Sequence, residues 1–216
     1  AALGAAIDPV RATPSAQLAA GAGEREETTH LSVATPDGFA VSLTTTLNGS
    51  FGSGAVVPGV GVLLNNEMDD FAVAPGVPNL YELVQGSANE VRAGARPLSS
   101  MSPTIVERDG RPLLAIGSPG GSTIPTTVLQ VLLRVASGEG LGEAVAAARL
   151  HHQHTPDVVF VERGAVPDPI LRSLREKGHV LRERAPIGLV HAVQFEAGGR
   201  LVGAADPRGY GAPSAP

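Results

Sequence analysis

A stretch of alternating polar and apolar residues, from Thr28 to Asn48, constrains the fold more than any other part of the sequence. It reads TTHLSVATPDGFAVSLTTTLN and carries a turn signal, Pro36-Asp37-Gly38, near its middle. Alternation on both sides of a turn is typical of a β-hairpin, because successive side chains of a strand point to opposite faces. We therefore predict an antiparallel hairpin whose two far ends lie side by side.

The far ends of this hairpin are rich in hydroxyl groups. One end carries Thr28 and Thr29, followed by His30, and the other carries three threonines at 44–46 and then Asn48. Paired hydroxyls at a strand end offer one way to build a nucleophilic site without cysteine. Threonine also suits β-strands for purely structural reasons. The pattern alone therefore leaves Thr28 open as an N-terminal nucleophile or as an ordinary strand residue.

The composition excludes several classes of function. The 216 residues are 43% hydrophobic and 17% charged, as in a globular protein of one large or two small domains. A net charge of −5 and 3% aromatic residues provide neither a basic field nor stacking platforms for nucleic acid. The absence of Cys removes disulfides, thiolate metal sites and cysteine nucleophiles. The sequence also has no apolar run long enough to span a membrane.

The sequence changes character at residue 28. Residues 1–27 are rich in Ala and end in a charged run, and we interpret them as a flexible arm or the tail of a preceding region, with a short helix at 15–22. The predicted elements beyond are hairpins at 28–48 and 104–116, strands at 62–64, 158–162, 180–184, 189–195 and 201–204, and helices at 126–135, 141–150 and 168–177. Antiparallel hairpins beside grouped helices favour an α+β fold.

Two further segments carry groups suited to ligand binding. The first is an acidic patch of Glu67, Asp69 and Asp70, which could hold a metal ion or an ammonium group, or could be a solvated turn. The second is Gly120-Gly121, between a predicted strand and a predicted helix. Its backbone N–H groups could form an oxyanion hole or cradle a phosphate, but no phosphate-loop lysine follows, and a plain turn fits equally well.

A dense histidine cluster, His151-His152-Gln153-His154, raises the question of a metal site. Adjacent side chains diverge on either a helix or a strand, and no Cys or HExxH pattern accompanies the cluster. We therefore interpret it as the polar end of the second helix and predict no metal.

A series of motifs in order extends over almost all of residues 28–208. They are TTHLSV (28–33), TLNGSFGSG (46–54), LLNNEMDDF (63–71), PGVPN (75–79), RPLSSMSPT (96–104), GSPGGS (117–122), ARLHHQ (148–153) and ADPR (205–208). Together they resemble the small subunit of the γ-glutamyltranspeptidases, a family of N-terminal-nucleophile hydrolases. The resemblance implies the αββα sandwich of that class, with a catalytic small-subunit domain at 28–216.

The resemblance also implies roles for single residues. Thr28 is similar to the nucleophile that first cleaves the precursor at the Glu27-Thr28 bond and later attacks the γ-glutamyl carbonyl. Thr46 is similar to the residue whose hydroxyl hydrogen-bonds that nucleophile, and Gly120 and Gly121 to the oxyanion hole. The other matched positions bind substrate: Asn48, Glu67 and Asp70 its α-amino group, Ser99 and Ser100 its α-carboxylate, and Tyr81 as the gate of a lid loop at 75–86.

The implied activity is hydrolysis or transpeptidation of glutathione and other γ-glutamyl amides, without a cofactor, in the periplasm or outside the cell. A large subunit cut from the same precursor is the implied partner, which would complete the pocket and cover open sheet edges. Two alternatives stay open: a related acylase for glutaryl-cephalosporin or poly-γ-glutamate, and an unprocessed, non-catalytic γ-glutamyl-binding homologue. His191 departs from the small or amide side chain that we expect at its position.

Overall fold

A computed structural model describes residues 28–215 of the chain. The predicted arm at 1–27, its helix at 15–22 and Glu27 of the predicted cleavage site lie outside the described residues. The strands are β1 (Thr28–Ala34), β2 (Ala40–Thr46), β3 (Thr104–Arg108), β4 (Arg111–Gly117), β5 (Leu150–His151), β6 (Val159–Val161), β7 (Leu181–Glu183), β8 (His191–Phe195) and β9 (Leu201–Ala205). The helices are α1 (Ile124–Ala136), α2 (Leu141–Ala146) and α3 (Asp168–Glu176).

Strands β1 and β2 form the predicted hairpin. Thr28 lies opposite Thr46, and the pairing continues without a register shift along both strands. The turn closes where the N–H of Thr35 donates to the carbonyl of Phe39 at 2.9 Å. The prediction from alternation and turn chemistry is confirmed.

The polar face of this hairpin lies inward. Ser32 donates to the carbonyl of His191 at 3.1 Å and Ser42 to that of Ile116 at 2.9 Å, so both serines fasten the hairpin to strands β8 and β4. The opposite face is apolar, and its side chains are 44–47% exposed: Leu31, Val33 and Leu43. Since a sheet normally buries its apolar face, this is the face that a further layer would cover.

A four-stranded antiparallel sheet lies under the hairpin in the strand order β3-β4-β8-β9. Its other face carries α1 and α2, which contact β4 and β9. The core between sheet and helices consists mainly of buried aliphatic side chains: Leu114, Ile116, Ile124, Val128, Val131, Leu141, Val145 and Val190. Burying a side chain of this size contributes about 1.5–3 kcal/mol. The described chain is thus built of hairpin, sheet and helices as three successive layers, which confirms the α+β prediction.

The second helix is shorter than predicted. Helix α2 ends at Ala146, and the backbone is already extended at Ala147. The cause is a contact distant in sequence, since the N–H of Arg149 donates to the Glu162 carboxylate at 2.9 Å instead of to a carbonyl one turn back. His151 consequently lies in strand β5 and is 1% exposed, so its interpretation as part of a polar helix end is wrong.

A buried ion network holds this region to the end of the chain. Arg149 and Asp206, whose side chains are 1% and 0% exposed, pair at 2.7 Å. Arg208 pairs with Asp206 at 2.9 Å and with Glu162 at 2.7 Å. Burial alone would raise the pKa of Asp206, but the charge of Arg149 and hydrogen bonds from Val190 and Arg208 hold it below its ordinary value.

A second sheet contains β5, β6 and β7. Strand β5 is antiparallel to β6, whereas β6 and β7 are parallel. Parallel neighbours need a crossover connection, and α3 supplies it. The helix predicted at 168–177 is therefore present within a small βαβ unit.

Most of residues 47–103 has no regular secondary structure. Two short 3-10 turns, Glu67–Asp70 and Ser87–Asn89, interrupt this segment. The strand predicted at 62–64 is reduced to an isolated bridge between Val56 and Leu63. Among residues 28–215, no helix has the length and apolar character needed to cross a membrane.

Candidate active site

The hydroxyls of Thr28 and Thr46 meet at the open end of the hairpin. The Thr28 hydroxyl donates to the Thr46 hydroxyl at 3.0 Å between oxygens. The Thr46 oxygen also accepts from the N–H of Asn48 at 2.9 Å. A hydroxyl oxygen can accept two hydrogen bonds, so Thr46 fixes both the Thr28 side chain and the start of the loop that leaves the hairpin.

Asn48 connects the hairpin end to two other segments. It is 2% exposed and has a φ of 72°, a conformation that asparagine tolerates better than most residues. Its side-chain amide donates to the carbonyl of Asn66 at 3.3 Å, beside the acidic patch. Its own carbonyl accepts from the Tyr81 hydroxyl at 2.7 Å. The predicted lid loop and the predicted nucleophile are therefore linked through one buried residue.

The acidic patch forms the 3-10 turn Glu67–Asp70 and is followed by the buried Phe71. The Asp69 carboxylate accepts from the N–H of Leu80 in the lid loop at 2.8 Å. Within the described residues, no group of three or more His, Cys, Asp or Glu side chains is arranged to hold a metal ion. The binding of a substrate ammonium group at this patch stays a prediction.

Asp70 is the carboxylate of the acidic patch whose pKa is shifted. Burial raises its pKa to about 7, and a hydrogen bond and negative charge from Glu67 and the charge of Asp69 act in the same direction. Near pH 7 and without a ligand, the Asp70 carboxyl is therefore protonated in about half of the molecules. A bound ammonium group would favour the ionised form and drive that proton off.

Gly120 and Gly121 lie between β4 and α1, with φ angles of 142° and 53°. The N–H of Thr123 donates back to the carbonyl of Gly120 at 3.0 Å and opens a 3-10 turn that leads into α1. The first N–H groups of such a turn have no acceptor within it, which suits an oxyanion hole. A Cβ at Gly121 would lie 2.5 Å from the Tyr81 ring, so the close approach also requires glycine.

His30 extends the polar face of the hairpin next to the Thr28–Thr46 pair. Its Nδ1 lies 2.7 Å from the Thr44 hydroxyl and its Nε2 lies 3.0 Å from the Ser32 hydroxyl. Because Ser32 donates its proton to a backbone carbonyl, it accepts from His30 Nε2–H, and Nδ1 accepts from Thr44. Burial, with a smaller effect of His191, lowers the pKa of His30 to about 4, so the ring is neutral.

Sequence reasoning assigned no role to His30, although its position two residues after Thr28 placed it on the same strand face. Its ring lies against β4, where a Cβ at Gly117 would come 2.2 Å from Cε1. The neutral ring thus packs the hairpin against β4, the strand that leads into Gly120 and Gly121.

The remaining predicted substrate residues are Ser99 and Ser100, in the irregular segment before β3. The Ser99 hydroxyl accepts from the N–H of Met101 at 3.2 Å, and the carbonyl of Ser100 accepts from the Ser102 hydroxyl at 3.1 Å. These bonds are local, so the structure fixes the shape of the segment, and the carboxylate-binding role stays a prediction.

The histidines that the sequence left unexplained have different surroundings. His151 is buried in β5, whereas His152 is partly exposed and pairs with Asp157 at 3.0 Å. His191 begins β8, its ring close enough to Gly211 that a Cβ there would lie 2.5 Å from Cε1. Its carbonyl is the acceptor for Ser32. His191 therefore holds the hairpin and the C-terminal segment against the sheet.

An antiparallel hairpin with a hydroxyl pair at its open end, stacked on a sheet that carries helices on its other face, has the architecture of N-terminal-nucleophile hydrolases. Solved members of that class share this chain's fold, so the predicted fold, the small-subunit part of an αββα sandwich, is confirmed. The sequence model described as Gamma-glutamyltranspeptidase matches residues 1–215, and the chain belongs to this family.

Three comparisons place the chain within and near this family. A "Glutathione hydrolase proenzyme" from Escherichia coli (strain K12) is 48% identical over 206 residues, which are 94% of this chain and 35% of that protein. The solved structure "Gamma-glutamyltranspeptidase from Pseudomonas nitroreducens complexed with L-DON" is 44% identical with a TM-score of 0.80, over 87% of this chain and 98% of that one. A cephalosporin acylase from Bacillus halodurans is 25% identical with a TM-score of 0.71, over 83% of this chain and 32% of that one. The chain thus spans about a third of the E. coli relative.

Proposed function

We propose that residues 28–216 are the catalytic small-subunit domain of a γ-glutamyl hydrolase and transpeptidase acting on glutathione and other γ-glutamyl amides. The observation that carries this proposal is the hydrogen-bonded pair of Thr28 and Thr46 at the hairpin's open end, in a chain that matches the family along its length. The relatives whose names include glutathione hydrolase favour this function over that of the more distant acylase.

In the proposed reaction, the Thr28 hydroxyl attacks the γ-carbonyl carbon while its proton passes to the α-amine of the same residue. That amine is a base only after the Glu27-Thr28 bond is cut, because before cleavage it is part of an amide. The N–H groups of Gly120 and Gly121 stabilise the negative oxygen of the tetrahedral intermediate. The C–N bond then breaks, the leaving amine takes up the proton, and an ester on Thr28 remains. Water or an acceptor amine resolves this ester by hydrolysis or transfer.

The substrate head group is a zwitterion, and the proposed site offers opposite charges or dipoles to each end. Glu67, Asp70 and Asn48 bind the ammonium group, while Ser99 and Ser100 donate to the carboxylate. Holding both ends fixes the γ-carbonyl beside the nucleophile, and such positioning supplies much of an enzyme's rate.

We further propose a large subunit from the same precursor as the partner of this domain. The support is the exposed apolar face of the hairpin, on which Leu31 and Leu43 are 44% and 47% exposed. A Leu31→Asp change on this face should prevent co-purification of the large subunit, because burying an unpaired charge is costly. We also infer from the family resemblance that the assembled enzyme lies in the periplasm or outside the cell, which cell fractionation tests.

Mass spectrometry and a γ-glutamyl-anilide assay test the enzymatic proposal together. We expect the full-length protein to be cut between Glu27 and Thr28 and to release the anilide. Thr28→Ala should abolish both events, whereas Thr28→Ser should keep weak processing and activity because a hydroxyl remains. A protein that stays intact after long incubation would be a non-catalytic homologue. A processed protein that prefers a glutaryl amide to a γ-glutamyl amide would be an acylase.

A further inference from the structure

Gln153, in the histidine cluster that the proposed function leaves unused, contacts the lid loop. Its side-chain amide nitrogen donates to the carbonyl of Tyr81 at 2.9 Å and to that of Thr155 at 3.1 Å. Its amide oxygen lies 2.9 Å from Nε2 of His151. Gln153 therefore joins the lid at 75–86 to the segment that follows β5.

The chemistry of these partners fixes the orientation of the amide. A backbone carbonyl can only accept, so the NH₂ group of Gln153 must face Tyr81 and Thr155. The amide oxygen then faces His151, whose Nε2 must carry the proton. Burial lowers the pKa of His151 and favours this neutral form. With Nε2 protonated, Nδ1 is an acceptor for the Thr126 hydroxyl at 2.7 Å, and this contact takes the hydroxyl proton in preference to the longer, 3.0 Å contact with the Thr123 carbonyl.

His151 gives Gln153 a rigid support. The ring is 1% exposed and stacks on Phe160 with centroids 6.4 Å apart and an interplanar angle of 13°. Its other partner, Thr126, lies in the first turn of α1, close along the chain to Gly121. Thr126, which supports His151 and through it the lid, therefore lies near the predicted oxyanion glycines at the start of α1.

Tyr81 connects Gln153 and His151 to the predicted catalytic groups. Its hydroxyl donates to the carbonyl of Asn48, and its ring lies so close to Gly121 that no Cβ could fit there. Asn48 thus holds the tip of the Tyr81 side chain, and Gln153 holds the backbone of the same lid residue.

We propose that Gln153 is a positioning residue, supported by His151, that keeps the lid closed with the Tyr81 ring over the predicted oxyanion glycines. The catalytic consequence rests on the function proposed above, whereas the lid contact itself does not. Substrate can enter such an enzyme only when the lid is open. The hydrogen bond from Gln153 to the Tyr81 carbonyl favours the closed lid, so its strength affects the fraction of molecules whose site is accessible.

The test compares hydrogen exchange of the lid in three variants of the mature, assembled protein without substrate. Gln153→Glu keeps an oxygen for His151 Nε2–H but faces the Tyr81 carbonyl with another acceptor. Gln153→Leu removes the hydrogen bonds to Tyr81, Thr155 and His151. His152→Gln changes the adjacent, partly exposed residue, which contacts Asp157 and not the lid, and serves as the matched control. Peptides covering 75–86 report the lid, and peptides from β4 and α1 report the core.

We expect exchange in 75–86 to accelerate about two- to tenfold in both Gln153 variants, the factor that corresponds to losing one partly exposed hydrogen bond. In Gln153→Glu, which keeps an acceptor for His151, core exchange and the thermal midpoint should match those of His152→Gln. KM for a γ-glutamyl anilide should change by a larger factor than kcat, because the lid governs access rather than bond cleavage. Lid exchange equal to that of the control, or acceleration spread equally over lid and core, would overturn the proposal.

The exchange result also separates this inference from the proposed function. If the parent protein cleaves no γ-glutamyl anilide and Gln153→Glu still loosens only 75–86, the enzymatic proposal fails and the lid contact stands. If the parent cleaves the anilide and the lid is unaffected, the opposite holds.

Discussion

The protonation of Asp70 should control binding of the γ-glutamyl head group. In the empty site, burial and the neighbouring Glu67 and Asp69 raise the pKa of Asp70 to about 7. Only the ionised carboxylate attracts an ammonium group, so a fall in pH through 7 should weaken binding. A normal aspartate would stay ionised over this range, since its pKa is about 3.9.

The size of the effect follows from the ionised fraction. With a pKa of about 7, roughly 90% of Asp70 is ionised at pH 8 and roughly 10% at pH 6. The Kd of L-glutamate, which carries the same head group and cannot be cleaved, should therefore rise about tenfold between these values. Binding at pH 6 should also release close to one proton, because the ligand selects the ionised form.

Isothermal titration calorimetry of the processed, assembled protein measures both quantities. The Kd comes from the isotherm, and the released proton from the dependence of the binding enthalpy on the ionisation enthalpy of the buffer. Asp70→Asn should bind glutamate weakly with little pH dependence, whereas Glu107→Gln, at an exposed site on β3, should behave like the parent. A Kd that stays constant from pH 6 to pH 8 in the parent would refute the reasoning.

The raised pKa has the opposite consequence for the protein without ligand. Between the ordinary value of 3.8 and about 7, the folded state holds more protons at Asp70 than the unfolded state. Stability then falls as pH rises through this window. The contribution of Asp70 is thus fully present below the lower value and is lost above the higher one, and glutamate should oppose the loss.

Three substitutions test other parts of the structure. Thr46→Val should lower kcat about tenfold while Thr46→Ser does not, because only valine removes the hydroxyl bonded to the nucleophile; equal rates would contradict this. Asp206→Asn should lower the free energy of unfolding by about 3–5 kcal/mol in urea titrations, since it leaves a buried arginine without its counter-ion; breaking the exposed Arg163–Glu183 pair by Glu183→Gln should cost under about 1 kcal/mol. Thr127→Val should be neutral or stabilising by about 1 kcal/mol, because among the described residues its buried hydroxyl has no partner. The neighbouring Thr126→Val should destabilise, and a larger loss at Thr127 would count against this account.

The hairpin could be predicted from sequence because its determinants are local. Alternation at period two and the turn at 36–38 act within a few residues, and the observed register follows from them. The hydroxyl pair then followed from antiparallel geometry. The predicted role of Asn48 had a different origin, since only the motif resemblance pointed to it. The same resemblance chose the oxyanion hole among the alternatives that the sequence left open for Gly120 and Gly121.

The end of α2 and the burial of His151 could not be predicted in the same way. The segment 147–150 has ordinary helix formers, and nothing local stops a helix there. The decisive contacts join Arg149 to Glu162 and Asp206, 13 and 57 residues away in sequence. Propensity gives way to such contacts because a buried charge without its partners costs several kcal/mol. The motif resemblance predicted the lid loop but not its geometry, because that geometry depends on side-chain hydrogen bonds with Asp69 and Gln153.

The same register that pairs Thr28 with Thr46 decides which face of the hairpin can be covered by another chain. A shift of one residue would turn every side chain over, bringing Leu31 inward and Thr28, the proposed nucleophile, outward. Ser32 and Ser42 resist such a shift, because each donates to a carbonyl of the underlying sheet and would lose that acceptor. The buried polar groups on the inward face need hydrogen-bond partners. The apolar side chains on the outward face favour packing against another layer. The proposed chemistry at one end of the hairpin and the proposed partner on its outer face therefore both depend on one strand pairing.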